Sequence, residues 1–191
     1  MKKVAGIAVG LLSLTLWAAP PVSAAPPLET VARVDLDRYQ GRWFEIARLP
    51  NFFQRKCVGE VTAEYAPIGD GTVSVHNRCV TGEGGVAEVT GVARPADRSG
   101  TNARLEVSFL PKWLRWIPFT WGHYWVIALG EDYDHVLVGT PDRGYLWVLA
   151  RTPTLSNEVY QTLMDRAAAA GFDVPAVVRT GPAGAPALSR K

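Results

Sequence analysis

Reactive side chains are scarce in this sequence. Its 191 residues include two cysteines and three histidines. His76, His123 and His135 are scattered, and two cysteines tied to each other add nothing to them, so no metal-ligand spacing is present. There is no G-x-S-x-G elbow and no glycine pattern that would cradle a phosphate. Asp132 and Asp134 read as turn residues rather than as an acid/base pair. The sequence therefore offers no catalytic set and no cofactor site, and predicts a protein that is not an enzyme.

Charge of one sign is lacking too. The chain carries 20 basic and 18 acidic residues, and its first 24 positions hold Lys2 and Lys3 but no acid. Without that segment the formal charge is balanced, which excludes the basic excess or stripe that a nucleic-acid partner requires. Beyond the N-terminus no apolar run is long enough to cross a membrane as a helix.

The N-terminus has the three parts of a secretory signal. Lys2 and Lys3 form its positive end, Val4 to Trp17 its apolar run, and Val22-Ser23-Ala24 its small-residue cleavage site. Residues 1–24 are predicted to be removed after Ala24, giving an exported protein. A membrane anchor fits less well, because the run is short and ends in prolines. Residues 25–33 read as a spacer, 34–180 as one domain, and 181–191 (GPAGAPALSRK) as a disordered tail without apolar pattern.

Between these ends the chain is punctuated by Gly, Pro and Asp at short intervals. Strands are predicted near 41–48, 59–66, 72–79, 86–94, 103–109, 123–129, 135–140 and 145–151, which suits a sandwich or an up-and-down barrel. One helix follows, capped by Ser156, with Val159, Leu163, Ala167 and Ala170 as its apolar stripe and Gly171 as its stop. A short last strand is expected around Ala176 to Arg179. Residues that face each other across a hairpin are equidistant from its turn. Cys57 and Cys79 are equidistant from Ile68, within the turn-forming run Pro67-Ile68-Gly69-Asp70-Gly71. An oxidising compartment then predicts a Cys57–Cys79 disulfide contributing about 3 kcal/mol. The alternative is a reactive free thiol.

The stretch VDLDRYQGRWFEIARLPNFFQ, Val34 to Gln54, resembles the opening of the lipocalin family, in particular its bacterial outer-membrane and apolipoprotein D-like members. It contains a G-x-W triplet, Gly41-Arg42-Trp43. Asp132-Tyr133 before the run His135-Val136-Leu137-Val138 resembles the second signature of the family. Leu146 to Pro153 (LWVLARTP) resembles the third, whose arginine, here Arg151, packs on the first motif's tryptophan. The resemblance runs from about Val31 to Arg179 and implies an all-β, eight-stranded antiparallel up-and-down β-barrel with one C-terminal α-helix. It further implies that Tyr65 and Trp147 touch a ligand. Two departures stand out: no cysteine follows the signal to carry a lipid anchor, and Phe44 stands where the family usually shows Tyr.

A barrel of eight strands has room for one small ligand, and alternation assigns its lining. With Trp43 inward at the closed end, Glu45 and Ala47 are expected inward as well. Val61, Ala63 and Tyr65 would follow on the second strand, then Val73 and Val75 on the third. Leu105, Val107 and Phe109 come from the fifth, Tyr124, Val126 and Ala128 from the sixth, and Trp147 and Leu149 from the eighth. The candidate ligand-binding set is Glu45, Ala47, Tyr65, Val75, Phe109, Tyr124, Val126 and Trp147. A carboxylate in such a place must lose its charge or find a partner, so Glu45 either orients a polar head or bonds to Tyr or Arg neighbours. The segment Phe109 to Trp121 (FLPKWLRWIPFTW) falls at the open mouth beside Phe52 and Phe53. Trp113, Trp116 and Trp121 with Lys112 and Arg115 suit transient membrane contact, or alternatively a lid.

The expected function is binding of a fatty acid or lysophospholipid for transport, storage or envelope maintenance. The expected location is the periplasm, possible outer-membrane association included. Burying about ten methylenes gives about 8 kcal/mol before losses, hence affinity near micromolar. The alternatives are an isomerase of a lipophilic substrate, needing a free thiol or an active Glu45, and a binder of haem or another pigment.

Overall fold

The computed structural model describes residues 26–180 apart from Glu83, Arg98 and Pro118; the expected signal segment 1–24 and tail 181–191 lie outside the described residues. Eight antiparallel strands follow one another: β1 (Gly41–Arg48), β2 (Cys57–Gly69), β3 (Thr72–Thr81), β4 (Val86–Pro95), β5 (Arg104–Ser108), β6 (Gly122–Leu129), β7 (His135–Gly139) and β8 (Leu146–Ala150). Each pairs with the next, and β1 pairs with both β2 and β8, which closes the sheet. A short strand β9 (Val178–Arg179) pairs with Ala47 and Arg48 at the upper end of β1. The up-and-down order puts the loops 49–56, 82–85, 109–121 and 140–145 at one end, the mouth. The opposite end is the floor.

Two helices complete the fold. A single turn, α1 (Leu36–Tyr39), precedes β1; the Asp35 carboxylate caps it by accepting from the Asp37 and Arg38 amides. Helix α2 (Asn157–Ala169) begins where the Ser156 hydroxyl accepts from the Val159 amide and ends before Gly171, at φ +85°. Its buried residues, Leu163, Met164 and Ala167, lie on the outside of the barrel against Ile46, Leu137, Leu146 and Val148. A separate cluster, built on Trp43, Tyr65, Val75, Leu105, Val126, Val138 and Leu149, fills the inside. The segment expected to be a spacer is packed as well. Leu28 joins the cluster under α2, and the Val31 amide donates to the Val126 carbonyl at 2.9 Å.

Two bulges correct the alternation. Opposite β8, Glu45 faces Leu149 but Ala47 faces Val148, so Ile46 and Ala47 together occupy the space of one residue. Both therefore turn outward beneath α2, and Ala47, expected in the ligand site, is part of the helix-facing cluster. Opposite β7, Val126 faces Val138 and Ala128 faces Leu137. Ile127 is buried in the helix-facing cluster and Ala128 packs against it, outside the lumen.

The disulfide is present, Cys57 to Cys79, with 5.5 Å between Cα atoms. The geometry behind it differs from the symmetric hairpin expected. Tyr65 faces Val75 and Ala63 faces Asn77, which centres the turn on Asp70, flanked by Gly69 and Gly71, all at positive φ. Register shifts in β2 then set Cys57 opposite Thr81, so the bond runs diagonally to Cys79. Thiol titration of unfolded, unreduced protein is expected to find no free thiol; a count of two would show the bond absent.

Candidate ligand-binding site

The floor is sealed by Trp43, which is fully buried on β1 and donates its indole N–H to the Tyr39 carbonyl at 2.9 Å. The Arg151 guanidinium lies 4.0 Å from the centre of the Trp43 ring, a cation–π contact. Its donors are spread over three carbonyls: Nε to Tyr133, Nη1 to Arg42 and Nη2 to Arg38. Tyr133, at φ +59°, also accepts from the Asp35 amide through its hydroxyl and carries Arg38 over its ring. Asp132 is exposed in the same β6–β7 loop. Gly41, at φ +85°, starts β1 with its α-carbon beside Arg151. The motif residues Gly41, Trp43, Tyr133 and Arg151 thus meet at one end, where they join α1, β1 and the β6–β7 loop.

Above the floor the lumen is apolar, walled by Val73, Val75, Ala93, Leu105, Val126, Val138 and Leu149. Three hydroxyls interrupt it. Tyr124 on β6 bonds to Tyr39 of α1 at 2.8 Å and to Tyr65 on β2 at 2.9 Å. Burial pushes the Tyr65 hydroxyl up to about 12, and pushes Tyr39 and Tyr124 well above the usual tyrosine range. All three are neutral phenols at physiological pH.

The mouth holds a buried ion pair. The β1 bulge returns Arg48 to the inner face, where its Nη1 donates to Glu45 Oε1 at 2.6 Å. Gln54, from the 49–56 loop, donates to Glu45 Oε2 at 2.7 Å and accepts from the Trp147 indole at 3.0 Å. Asn51 donates to the same Gln54 oxygen, at 2.7 Å, and accepts from the Gln54 amide. Phe53 stacks on Tyr145 and lies beside Trp147, with centroids 5.6 and 6.4 Å away. This loop is therefore drawn across the mouth and pinned to β1 and β8. Arg48 Nε is buried without a hydrogen-bond partner.

The expected site residues separate into groups on this frame. Tyr65, Val75, Tyr124, Val126 and Trp147 line the lumen, as does Glu45, whose two oxygens are already held. Phe109 leaves the end of β5 and lays its ring over Gly91, where an added Cβ would meet it at 2.6 Å. Trp121 turns back onto the outer wall, under the Arg94 guanidinium at 3.7 Å, with its indole donating to the Arg115 carbonyl. Trp113 and Trp116, 72% and 79% exposed, project into solvent, as does Phe119. Phe52, on the 49–56 loop at the same end of the barrel, is 66% exposed. Trp113, Trp116 and Phe119 are thus turned away from the lumen in this structure.

Arg48, Gln54 and Tyr39 were not in the expected set. Strict alternation assigns Arg48 to the outer face, and only the bulge reverses it. A further groove of about 580 Å³ lies along β1–β3, flanked by the exposed pairs Arg42–Glu64 and Arg78–Glu88, and reaches Glu45 and Val61 between the strands. Among the described residues no group of three His, Cys, Asp or Glu is placed to hold a metal ion.

A closed eight-stranded barrel, sealed below and apolar within, is the architecture of a protein that holds one small ligand. Residues 34–182 match the family profile described as a lipocalin-like domain, and the chain belongs to the lipocalin family. It is 39% identical over 155 residues to temperature-induced lipocalin-1 of Arabidopsis thaliana, covering 80% of this chain and 82% of that protein. It is 40% identical over 154 residues to the outer membrane lipoprotein Blc of Escherichia coli (strain K12), with the same coverage. Apolipoprotein D of Mus musculus is 28% identical over 169 residues, covering 85% and 83%. Insecticyanin from the tobacco hornworm Manduca sexta superposes with a TM-score of 0.65 at 20% identity, over 82% of this chain and 85% of that one, a likeness of fold.

Proposed function

We propose that this protein is an exported carrier or scavenger of a fatty acid or lysophospholipid, acting in transport, storage or envelope maintenance. The observation that carries the reading is the lumen itself. Its wall is aliphatic from Val75 to Val138, Trp147 stands at the mouth, and among the described residues the buried charges are those of the Glu45–Arg48 pair there. A chain of methylenes fits such a wall, and a polar head fits the mouth. The likeness to an outer membrane lipoprotein supports a bacterial envelope location. The signal-like N-terminus supports export to the periplasm. An enzymatic reading needs a free thiol or an unengaged Glu45; both cysteines are bonded and Glu45 is held by Arg48 and Gln54.

Native mass spectrometry of protein purified from its own host, followed by lipid extraction, is expected to find one bound lipid per chain. A consistently empty barrel under mild conditions counts against the reading. Trp147→Ala should weaken fatty-acid binding by about 1–3 kcal/mol through lost apolar contact. Unchanged affinity in a folded variant would remove Trp147 from the site.

Loading from a membrane is part of the same proposal. Trp113, Trp116 and Phe52 are exposed at the mouth, and the exposed Lys112 adjoins Trp113, in reach of anionic headgroups worth about 1 kcal/mol per basic residue. Binding to liposomes should rise with anionic lipid, fall with salt, and be lost in a Trp113→Ser, Trp116→Ser variant that still takes up soluble ligand. If that variant keeps liposome binding and instead releases ligand faster, the loop governs retention and not membrane contact.

A further inference from the structure

The three tyrosines in the lumen carry one more proton than they can share. A line of three hydroxyls has three O–H donors, and each O···O contact uses one of them. The two contacts are Tyr39 to Tyr124 at 2.8 Å and Tyr65 to Tyr124 at 2.9 Å. No other hydrogen bond involves these oxygens among the described residues, so one donor is left over whichever way the line is polarised. A buried donor without an acceptor bears its full desolvation cost. The acceptor therefore has to come from whatever occupies the lumen.

The position of this donor is informative. Tyr39 rises from α1 with its ring 4.9 Å from Trp43 at the floor and 5.4 Å from Tyr65. Tyr65 and Tyr124 approach from β2 and β6, strands that are not neighbours in the barrel. The hydroxyls thus bridge the lumen towards its closed end, whereas the charged pair Glu45–Arg48 and its orphaned Arg48 Nε stand at the mouth. An amphiphile seated with its head at the mouth sends its far end down to the tyrosines.

We propose that the tyrosine line is a subsite for a neutral oxygen at the inner end of the ligand, so that the lumen favours chains oxygenated at or near their terminus over plain hydrocarbon tails. This rests on the reading of the lumen as a lipid site. Because the phenols remain protonated, the subsite donates; it suits a hydroxyl, ether or ketone oxygen. It does not suit an ammonium group, which has no lone pair to offer.

The test compares saturated fatty acids with their terminal-hydroxy, terminal-methoxy and terminal-ammonium counterparts over a range of chain lengths, by displacement of a fluorescent fatty-acid probe. At the length that reaches the floor, the hydroxy and methoxy chains should bind about three- to ten-fold tighter than the plain chain. The ammonium chain should bind more weakly. Combining Tyr39→Phe, Tyr65→Phe and Tyr124→Phe removes every hydroxyl while keeping the shape, and should abolish the gain, so that oxygenated chains bind no better than plain chains of the same length. A single Tyr65→Phe should retain it, since two hydroxyls in line still leave one proton over. If neither plain nor oxygenated chains bind the wild type, the lipid-site reading itself fails. If plain chains bind and oxygenated ones never bind better, that reading stands and the subsite is overturned. A gain with hydroxyl but not methoxy, or one that survives in the triple variant, also overturns it. The wild-type comparison decides the matter even if the triple variant does not fold.

Discussion

Arg48→Met is expected to destabilise the protein by about 3–5 kcal/mol, read as a lower midpoint in urea unfolding. The guanidinium and the Glu45 carboxylate are almost fully removed from water, with side-chain exposures of 10% and 3%. Removing one partner leaves the other a buried charge without a counter-ion, which is the costly case. Gln54 still donates to Glu45 Oε2 but cannot neutralise it. Adding Glu45→Gln to the same chain should recover much of the loss, because the remaining amide needs hydrogen bonds and no counter-charge. A loss below about 1 kcal/mol for the single variant would place the pair in contact with water, as surface pairs are. Glu45→Gln alone tests the polar-head idea separately. A changed preference between charged and neutral ligands supports a contact with the head, and an equal loss for both assigns Glu45 to holding Arg48 and Gln54.

Trp43→Ala should cost about as much, roughly 3–5 kcal/mol, by a different route. The ring is fully buried, packs on Tyr39 at 4.9 Å and supports Arg151 at 4.0 Å. Truncation opens a cavity under the lumen and removes the indole donor to the Tyr39 carbonyl. It also takes away the surface on which Arg151 rests while that side chain ties three carbonyls. Trp43→Phe should cost less, since an aromatic ring remains and only part of the ring volume is lost with the donor. Thermal unfolding of the two variants separates these contributions. Equal losses would mean that the hydrogen bond, not the volume, holds the floor.

Most of the strand order was readable because each strand carries its own signals. In β2, Val61, Ala63 and Tyr65 alternate with Thr62 and Glu64, and glycine and proline mark the ends. Helix α2 was readable from its cap, its stripe and its stop, although Met164 extends the stripe beyond the residues expected. The bulges were not readable. Glu45-Ile46-Ala47-Arg48 and Val126-Ile127-Ala128 contain adjacent apolar residues, and alternation cannot say which of two such neighbours faces in. What decides it is the packing of α2 on the outside, a contact distant in sequence. That single fact moved Ala47 out of the site and Arg48 into it. The turn α1 escaped notice because four residues are too few to show a period. Cys57 and Cys79 are bonded without being directly opposite: the turn centres on Asp70 rather than Ile68, which alone would carry Cys57 four residues past Cys79, and the register shifts in β2 recover two of them, to Thr81.

The closure of the barrel through β1 and β8 also sets an order in time. Phe44 pairs with Ala150, and the bond from Arg151 Nη2 to the Arg38 carbonyl links positions 113 apart in the chain. A polypeptide that appears N-terminus first therefore exposes β1 and Trp43 early and supplies their partners last. Hairpins such as β2–β3 and β3–β4 assemble locally, while one edge of β1 and the floor wait for the final quarter of the chain. Contacts of this span slow folding, because the loop between them loses its freedom before any stabilising contact forms. The Cys57–Cys79 link, made within the early hairpin, shortens the covalent path and lowers that entropic cost. The nascent chain thus holds an open sheet with a bare tryptophan for most of its emergence, and β8 is the strand whose arrival ends that exposure.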